Sequence, residues 1–216
     1  MTLHGRTFLA RHAETVFNAA ARMQGHDAHT PLTRTGFQQA EAMGAALKSW
    51  LGTPQSLSLW SSDAGRTLQT LAIVSEHIGA DWHEARIDPR LREINVGSWE
   101  GRRYADIHQE IGPFVDTEAG LFTVTAPKGE SYADVAARLR DWVAELGHDH
   151  NDRLVITHGM TLRILRGLLL GLPADARFGA PFAPATPQGS LIMIGAGEEK
   201  IIYDSKSADN RAELTA

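Results

Sequence analysis

Two histidines stand directly after apolar, strand-like runs that lie far apart in the chain. Arg11 and His12 follow the run at residues 7–10, and His158 follows a second run of apolar and β-branched residues. Between them, Arg66 comes shortly after a third such run. Because the carboxyl ends of parallel strands open onto one crevice of an α/β sheet, these side chains are expected to meet there. Two fixed cations beside two imidazoles predict a pocket for a phosphoryl group.

Composition narrows both the class of protein and its partners. With 216 residues and 43% hydrophobic content, the chain is long enough to bury one sizeable core, and a single domain over residues 1–216 is expected. The formal net charge of −5 argues against nucleic acid or an anionic membrane as a partner. The absence of cysteine excludes disulfides, thiolate metal sites and a cysteine nucleophile. The chain shows no signal-peptide-like stretch and no run of membrane-spanning length, so a cytoplasmic protein is expected.

Apolar periodicity predicts strands and helices in alternation. The predicted strands are residues 7–10, 57–61, 154–157, 190–194 and 201–203, the last two forming a hairpin. The predicted helices are residues 35–51, a helix after Arg66 that ends near Gly79, a helix capped by Ser131, and residues 161–170. Helices alternating with buried strands imply an α/β three-layer sandwich, with a mostly parallel central sheet and helices on both faces.

Two long stretches interrupt this alternation. Residues 101–128 hold a short helical piece at 104–111 followed by irregular sequence, and they are expected to form a lid insertion over the substrate site. Residues 172–189 contain four prolines and are interpreted as a structural connection on the surface. The polar tail after Asp204 is expected to fray.

Six pieces of sequence resemble, in order, the signature segments of the histidine phosphatase (phosphoglycerate mutase-like) superfamily. The first is the family's Arg-His-Gly-Glu-Thr signature, which reads Arg-His-Ala-Glu-Thr from Arg11 to Thr15. The others are Gln24-Gly25 with Pro31-Leu32-Thr33, Ser61-Ser62 with Arg66, Gln69 and Thr70, Glu93 with Gly97-Ser98-Trp99-Glu100-Gly101, Gly129-Glu130-Ser131, and His158-Gly159 with Arg163. Each piece alone is weak, but six in the family's order, over about residues 7–166, make a specific match.

The resemblance implies phosphoryl transfer through a phosphohistidine. His12 would be the nucleophile, whose neutral ring nitrogen attacks phosphorus. Arg11 and Arg66 would bind the phosphoryl oxygens, since a guanidinium matches their geometry, and Asn18 would add a neutral donor. His158, if protonated, would complete the cage. For attack His12 must stay neutral, and the two arginines are expected to lower its pKa.

By the same resemblance, Glu93 is the general acid that protonates the leaving oxygen and then the base that activates water. Glu14 and Glu100 are rival carboxylates, ranked behind Glu93 because only Glu93 matches the family motif by position as well as by chemistry. No cofactor and no metal ion is expected, because His26-x-x-His29 and His148-x-His150 lack an accompanying His-Glu-x-x-His motif.

Further residues are expected around the substrate, which would be a small phosphomonoester. The substrate-binding candidates are Gln24, Gly25 and Gly159, with Asn18. The candidate lining residues from the loops are Trp99, Phe114, Phe122 and Met160. The segment Gly129-Glu130-Ser131 is interpreted structurally, as a turn followed by a helix cap. The sequence leaves the oligomeric state open.

The chain departs from the family pattern at three places. Ala13 replaces the usual glycine and is expected to tighten the pocket beside the nucleophile. Met160 stands where a small residue is common, and the spacer at 26–30 is one residue longer than usual. These differences bear on substrate preference.

Three functions are compatible with these residues. The first is a cofactor-independent phosphatase acting on a small phosphomonoester. The second is a phosphoglycerate mutase, which would use the same phosphohistidine but return the phosphoryl group to its substrate. The third is a non-catalytic phosphate-binding regulatory module, which would require a missing catalytic group. The shortened middle segment and the Gly-Ser-Trp-Glu-Gly form of the glutamate motif favour the phosphatase, because a mutase must exclude water during transfer.

Overall fold

The computed structural model describes residues 4–53 and 56–205 of the chain. Its strands are β1 (Thr7–Arg11), β2 (Ser58–Ser61), β3 (Arg86–Ile87), β4 (Val115–Asp116), β5 (Leu121–Phe122), β6 (Arg153–Thr157), β7 (Leu191–Gly195) and β8 (Glu198–Tyr203). Within these described residues, six strands form one sheet in the order β3-β2-β6-β1-β7-β8, while β4 and β5 form a separate ribbon. The first four strands in that order are parallel to one another, whereas β7 is antiparallel to both of its neighbours, β1 and β8. The predicted mostly parallel α/β sheet is confirmed.

The helices connect these strands and carry ordinary sequence signals at their ends. They are α1 (Val16–Ala19), α2 (Arg34–Leu51), α3 (Gly65–Ile78), α4 (Tyr104–Ile111), α5 (Tyr132–Glu145) and α6 (Gly159–Leu169). The Thr33 hydroxyl accepts the Gly36 N–H and so caps α2, and Ser131 forms a capping box with Asp134 at the start of α5. Gly79 ends α3 in the left-handed conformation, as predicted.

The sheet is covered on both faces, which confirms the three-layer arrangement. Successive strand residues point to opposite faces, so one strand serves two cores. Phe8 and Ala10 of β1 belong to one buried cluster together with Leu47 of α2. Leu9, between them, belongs to the other cluster together with Trp142 of α5. Residues in both clusters are almost completely buried.

Two predicted element boundaries were wrong, for identifiable reasons. β8 begins at Glu198 instead of residue 201, because Ala196 and Gly197 both have positive φ, 52° and 78°, and alone make the hairpin turn. α6 begins at Gly159 instead of residue 161, because His158 takes the extended N-cap position and the helix starts directly after it. The tail that is expected to fray begins at Ser205, whose hydroxyl donates to the Gln188 carbonyl oxygen at 2.7 Å, so this residue is held. The rest of the tail, residues 206–216, lies outside the described residues.

The two irregular stretches both pack into the core on the α5–α6 side of the sheet. Residues 101–128 contain α4 and the β4–β5 ribbon, and their Phe114 and Leu121 are each 2% exposed. In the stretch 172–189, Ala180 and Ala183 are completely buried. That stretch is therefore more than a surface connection, because the Arg163 side chain donates to the Ala183 carbonyl oxygen and holds it against α6.

Gly36, in the first turn of α2, is packed against the loop that follows β1. A Cβ atom at this position would lie 2.1 Å from the Glu14 carbonyl oxygen, whereas one at Gly147 would meet nothing within 4 Å. Gly36→Ala is therefore expected to destabilise the fold by about 1–3 kcal/mol, because backbone must move. Gly147→Ala is the matched control and should change the free energy of unfolding by less than about 0.5 kcal/mol. Urea denaturation of both variants checks this, and equal effects would contradict the close approach.

Candidate active site

The ends of β1 and β6 bring the two predicted histidines together. The two strands are parallel neighbours, with Arg11 opposite Thr157. One residue further on, the His12 N–H donates to the Thr157 carbonyl oxygen at 2.8 Å. The His12 and His158 rings meet edge to face with their centroids 5.2 Å apart, and the two residues are 1% and 0% exposed. The predicted convergence over more than a hundred residues of sequence is therefore confirmed.

His12 is held in the tautomer that a nucleophile requires. Its Nδ1 lies 2.8 Å from the Ala13 carbonyl oxygen. Because a carbonyl oxygen only accepts, Nδ1 carries the proton and Nε2 keeps its lone pair. Burial, with smaller contributions from the Arg11 and Arg66 charges, holds the pKa of His12 well below its ordinary value. The imidazole is therefore neutral at physiological pH, as the sequence analysis expected.

Arg66 is fixed by the loop at 25–30, the same loop that is longer than usual. Its guanidinium donates to the carbonyl oxygens of Asp27 and Gly25 and to the Thr30 hydroxyl. Burial lowers the pKa of Arg66 to about 10, so the group keeps its charge at neutral pH. Its Nε and the Nε of Arg11 are buried and have no hydrogen-bond partner among the residues described. Two cations whose buried Nε donors are unused are a strong attraction for an anion.

His158 is neutral in this structure, so the protonated form considered from sequence is disfavoured. Burial, followed by the charges of Arg66, His12 and Arg11, holds the pKa of His158 well below its ordinary value. Its Nε2 lies 2.7 Å from the Ser62 hydroxyl, while its Nδ1 is buried without a partner in the described part of the chain. A neutral ring still donates one hydrogen bond, which it makes from Nδ1 when Ser62 donates to Nε2.

Asn18 and Gln24 have their carbonyl oxygens tied back into the protein. The Asn18 Oδ1 accepts from the Thr15 N–H at 3.1 Å and from the Gln188 side chain at 3.0 Å. The Gln24 Oε1 accepts from the hydroxyls of Thr15 and Thr30 at 2.9 and 3.0 Å. Each side chain therefore keeps its NH₂ group for the cavity that both residues line.

Glu93 faces the same cavity, with its carboxylate at the N-terminus of α6. The carboxylate accepts the N–H groups of Met160 and Thr161, each at 3.2 Å, and that of its neighbour Ile94 at 3.0 Å. The two rival carboxylates are engaged elsewhere: Glu14 accepts from the Thr33 hydroxyl and Glu100 from the His26 N–H, and neither lines the cavity. Of the three carboxylates considered from sequence, only Glu93 lines the cavity that His12 also lines.

One cavity of about 200 Å³ collects the predicted site residues, and all of them except His158 line it. His158 lines a smaller cavity, whose wall also includes Arg66 and Glu93. Among the candidate lining residues, Phe122 and Met160 contribute to the wall, whereas Trp99 and Phe114 are buried in the core. Ala13 is also completely buried, so its methyl group packs in the α2–α3 core and does not tighten the pocket as expected.

The structure adds three residues that sequence reasoning missed. Arg22 and Tyr104 line the cavity, and burial raises the pKa of Tyr104. Gln188 donates from Nε2 to the His12 carbonyl oxygen at 3.2 Å and to Asn18. Sequence alone does not identify Gln188, because only the pairing of β7 with β1, Leu191 opposite Ala10, brings it to the end of β1.

The described part of the chain contains neither a metal-binding cluster nor a membrane-spanning helix. Residues 4–53 and 56–205 hold no group of three or more metal-ligating side chains of the His, Cys, Asp or Glu type. Over the same residues, every helix is too short or too polar to cross a membrane.

The fold and these cavities define an α/β protein in which two histidines and two arginines come together beside the ends of β1, β2 and β6. The sequence profile of the histidine phosphatase superfamily (branch 1) matches residues 7–200, and the chain belongs to that superfamily.

Relatives and solved structures agree with this assignment. The probable phosphoglycerate mutase GpmB of Erwinia tasmaniensis is 38% identical over 178 residues, covering 79% of this chain and 77% of that protein. A mycobacterial glucosyl-3-phosphoglycerate phosphatase, solved with VO3, aligns with a TM-score of 0.73 at 29% identity, covering 91% of this chain and 96% of that one. The alpha-ribazole phosphatase of Shigella flexneri aligns with a TM-score of 0.71 at 26% identity, covering 91% and 94%.

The two buried neutral histidines make stability depend on pH. Below about pH 6.5 an unfolded chain protonates these rings while the folded chain does not, so the unfolded state binds more protons and stability falls as pH falls. Each ring contributes up to about 1.4 kcal/mol per pH unit. Urea denaturation between about pH 7.5 and about pH 5.5 should therefore show a flatter slope for His158→Gln than for wild type. Gly36→Ala, destabilised without losing a histidine, should keep the wild-type slope; parallel slopes for all three proteins would contradict neutral burial of His158.

The unused guanidinium donors predict that inorganic phosphate stabilises the fold. At a hundredfold excess over its Kd, phosphate should add about 2.7 kcal/mol, provided that it binds only the native state. Arg66→Met should abolish this response, because it removes one of the two cations beside His12. Arg34→Met, at an exposed arginine at the start of α2, should keep it. Thermal unfolding with and without phosphate gives the measurement, and an undiminished response in Arg66→Met would place the bound anion elsewhere.

Proposed function

We propose that this protein is a phosphomonoesterase that hydrolyses a small phosphorylated metabolite through a phosphohistidine at His12. One observation carries the proposal: His12 presents a neutral Nε2 to a cavity whose wall also contains Arg11, Arg66 and Glu93. A nucleophile, cations for the transferred group and a carboxylate for the leaving oxygen are the parts that two-step phosphoryl transfer needs.

In the first step, the His12 Nε2 lone pair forms a bond to phosphorus as the bond to the leaving oxygen breaks. Glu93 gives its proton to that oxygen, and the alcohol departs. Arg11 and Arg66 donate to the phosphoryl oxygens, where the transition-state charge lies, and the neutral His158 donates from Nδ1. The Ala13 carbonyl oxygen keeps its hydrogen bond to Nδ1–H and so stabilises the ring as it becomes positively charged.

In the second step, water attacks the phosphorus of the phosphohistidine. Glu93, now a carboxylate, takes a proton from the water as the new P–O bond forms and the P–N bond breaks. Inorganic phosphate leaves, His12 is neutral again, and Glu93 carries the proton for the next cycle. Both steps use the same side chains and water, so the proposed reaction needs no cofactor.

The charge of the cavity supports hydrolysis over mutase chemistry. Among the described residues, the cations lining the cavity are Arg11, Arg22 and Arg66. A bisphosphorylated glycerate, the intermediate of a cofactor-dependent mutase, carries roughly four to five negative charges, which exceeds this complement. A phosphomonoester with about two negative charges matches it better. The phosphatases among the solved structures support the same choice.

A phosphoglycerate mutase is the second candidate function, because the 38% identity to GpmB exceeds the identity to either phosphatase. A non-catalytic phosphate-binding module has less support, since nucleophile, cations and carboxylate are all present around the cavity.

Phosphate release from p-nitrophenyl phosphate in the presence of a chelator tests the proposal. Wild type should be active, and His12→Ala should lose at least about a thousandfold, because the covalent route disappears. His83→Ala, at an exposed histidine outside the cavity, should retain activity and serves as the matched control.

The same assay distinguishes the two candidate reactions. The wild-type protein is given 3-phosphoglycerate with and without 2,3-bisphosphoglycerate, and both free phosphate and 2-phosphoglycerate are measured. Interconversion of the phosphoglycerates without phosphate release would assign the mutase reaction instead. Silence in every assay from folded protein would overturn both enzymatic functions.

A further inference from the structure

The segment that carries Glu93 has an irregular backbone, yet side chains from elsewhere hold four successive carbonyl groups of it. Thr157 donates from its hydroxyl to the Leu91 oxygen at 2.7 Å, and Thr161 donates to the Arg92 oxygen at 2.6 Å. The carbonyl oxygens before and after these, those of residues 90 and 93, both accept from Arg138 of α5. This segment, which begins with one turn of 3₁₀ helix at Pro89–Leu91, is thus anchored at four successive carbonyl groups.

Arg138 is itself fixed by an ion pair with Glu130. The Arg138 Nε donates to Glu130 at 3.0 Å, and the two side chains are only 16% and 23% exposed. Glu130 also accepts the Asn95 N–H at 2.9 Å. The Arg138–Glu130 pair therefore holds the Glu93 segment at three backbone groups. These are the carbonyl oxygens of residues 90 and 93 and the N–H of Asn95.

The Glu93 segment is also tied to the loop that fixes Arg66. The Glu93 carbonyl oxygen accepts from the His26 Nε2 at 2.9 Å in addition to its bond from Arg138. His26 Nε2 also lies 3.7 Å from Glu130. Because the loop around His26 supplies the carbonyl oxygens that hold Arg66, these contacts connect the position of Glu93 with that of a phosphate-binding cation.

We propose that Arg138, oriented by Glu130, is a positioning residue that sets the distance between the Glu93 carboxylate and the leaving oxygen. The inference rests on the proposed function, in which Glu93 protonates that oxygen. Arg138 does not line the cavity, so its contacts reach the site through the backbone of the Glu93 segment. Its charge also helps to lower the pKa of His158, after the charges of Arg66, His12 and Arg11. Glu130 therefore has a role beyond the turn and helix cap expected from sequence. It orients the Arg138 guanidinium, which in turn positions Glu93. A misplacement of about 1 Å in such a group costs up to about a hundredfold in rate.

The leaving group distinguishes positioning from general stability. p-Nitrophenolate departs without a proton because its ring spreads the charge, whereas the phenolate of phenyl phosphate benefits from an acid. In Arg138→Met, kcat/KM for phenyl phosphate should fall by roughly 10-fold to 100-fold, while kcat/KM for p-nitrophenyl phosphate should stay within about threefold. kcat/KM is the right quantity because it reports the first transfer and not the hydrolysis of the phosphohistidine. Arg140→Met, at an exposed arginine two residues along α5, is the matched control and should change neither value.

A double-mutant cycle then asks whether Arg138 acts through Glu93. Glu93→Gln alone should give the leaving-group pattern of Arg138→Met in stronger form, and adding Arg138→Met to it should cause little further loss. If Arg138→Met does not fold, Glu130→Gln keeps the side-chain shape, weakens the ion pair and should give the same selective pattern more mildly.

Three outcomes overturn the inference. Equal losses on both substrates would make Arg138 a structural residue only, and additive losses in the double variant would show that it acts independently of Glu93. Both results leave the phosphatase itself standing, because wild type is active. Wild-type protein that releases phosphate from neither substrate would remove the proposed function and this inference with it.

Discussion

The hydrogen bond from the His12 N–H to the Thr157 carbonyl oxygen fixes the geometry on which the site depends. It extends the β1–β6 pairing one residue beyond the end of β1, so the residues after both strands leave the sheet at the same level. The nucleophile candidate and His158 are thereby placed 5.2 Å apart between ring centroids. α6 starts at the next residue, and its first N–H groups reach the Glu93 carboxylate. One strand pairing thus determines where His12, His158 and the Glu93 carboxylate lie.

This placement has an electrostatic consequence. Arg11 and Arg66 lie beside two imidazoles, and burial together with the neighbouring charges lowers the pKa of both histidines. The Nε atoms of both arginines are buried without partners among the described residues, and buried donors without partners are costly. In the proposed reaction, an entering phosphoryl group would supply acceptors and negative charge at once. The same field that would bind the substrate keeps His12 neutral, as the proposed attack on phosphorus requires.

Much of this arrangement follows from the sequence, because it depends on local patterns. Apolar runs predicted the strands that carry His12 and His158, and the family resemblance named Glu93 and Arg66. The contacts of Gln188 and Arg138 were not predictable in that way, since each joins segments more than forty residues apart through single side chains. Ala13 shows a further limit of prediction from sequence. The sequence shows that a methyl group follows the candidate nucleophile, but only the packing decides that this methyl group points into the core. The start of β8 likewise depends on two positive φ angles, which the sequence indicates at Gly197 but not at Ala196.

The central claim is that the phosphoryl group rests on His12 during each cycle. Its most direct test is to mix the protein with p-nitrophenyl phosphate, quench under conditions that preserve phosphohistidine, and locate the modified residue by mass spectrometry of peptides. The account predicts a phosphoryl group on the peptide containing His12, attached at Nε2 because Nδ1 is hydrogen-bonded to the Ala13 carbonyl oxygen. This group should be lost by hydrolysis when the native enzyme is incubated further before the quench. A phosphoryl group on another residue, or steady phosphate release with no trapped phosphohistidine at any quench time, would contradict it.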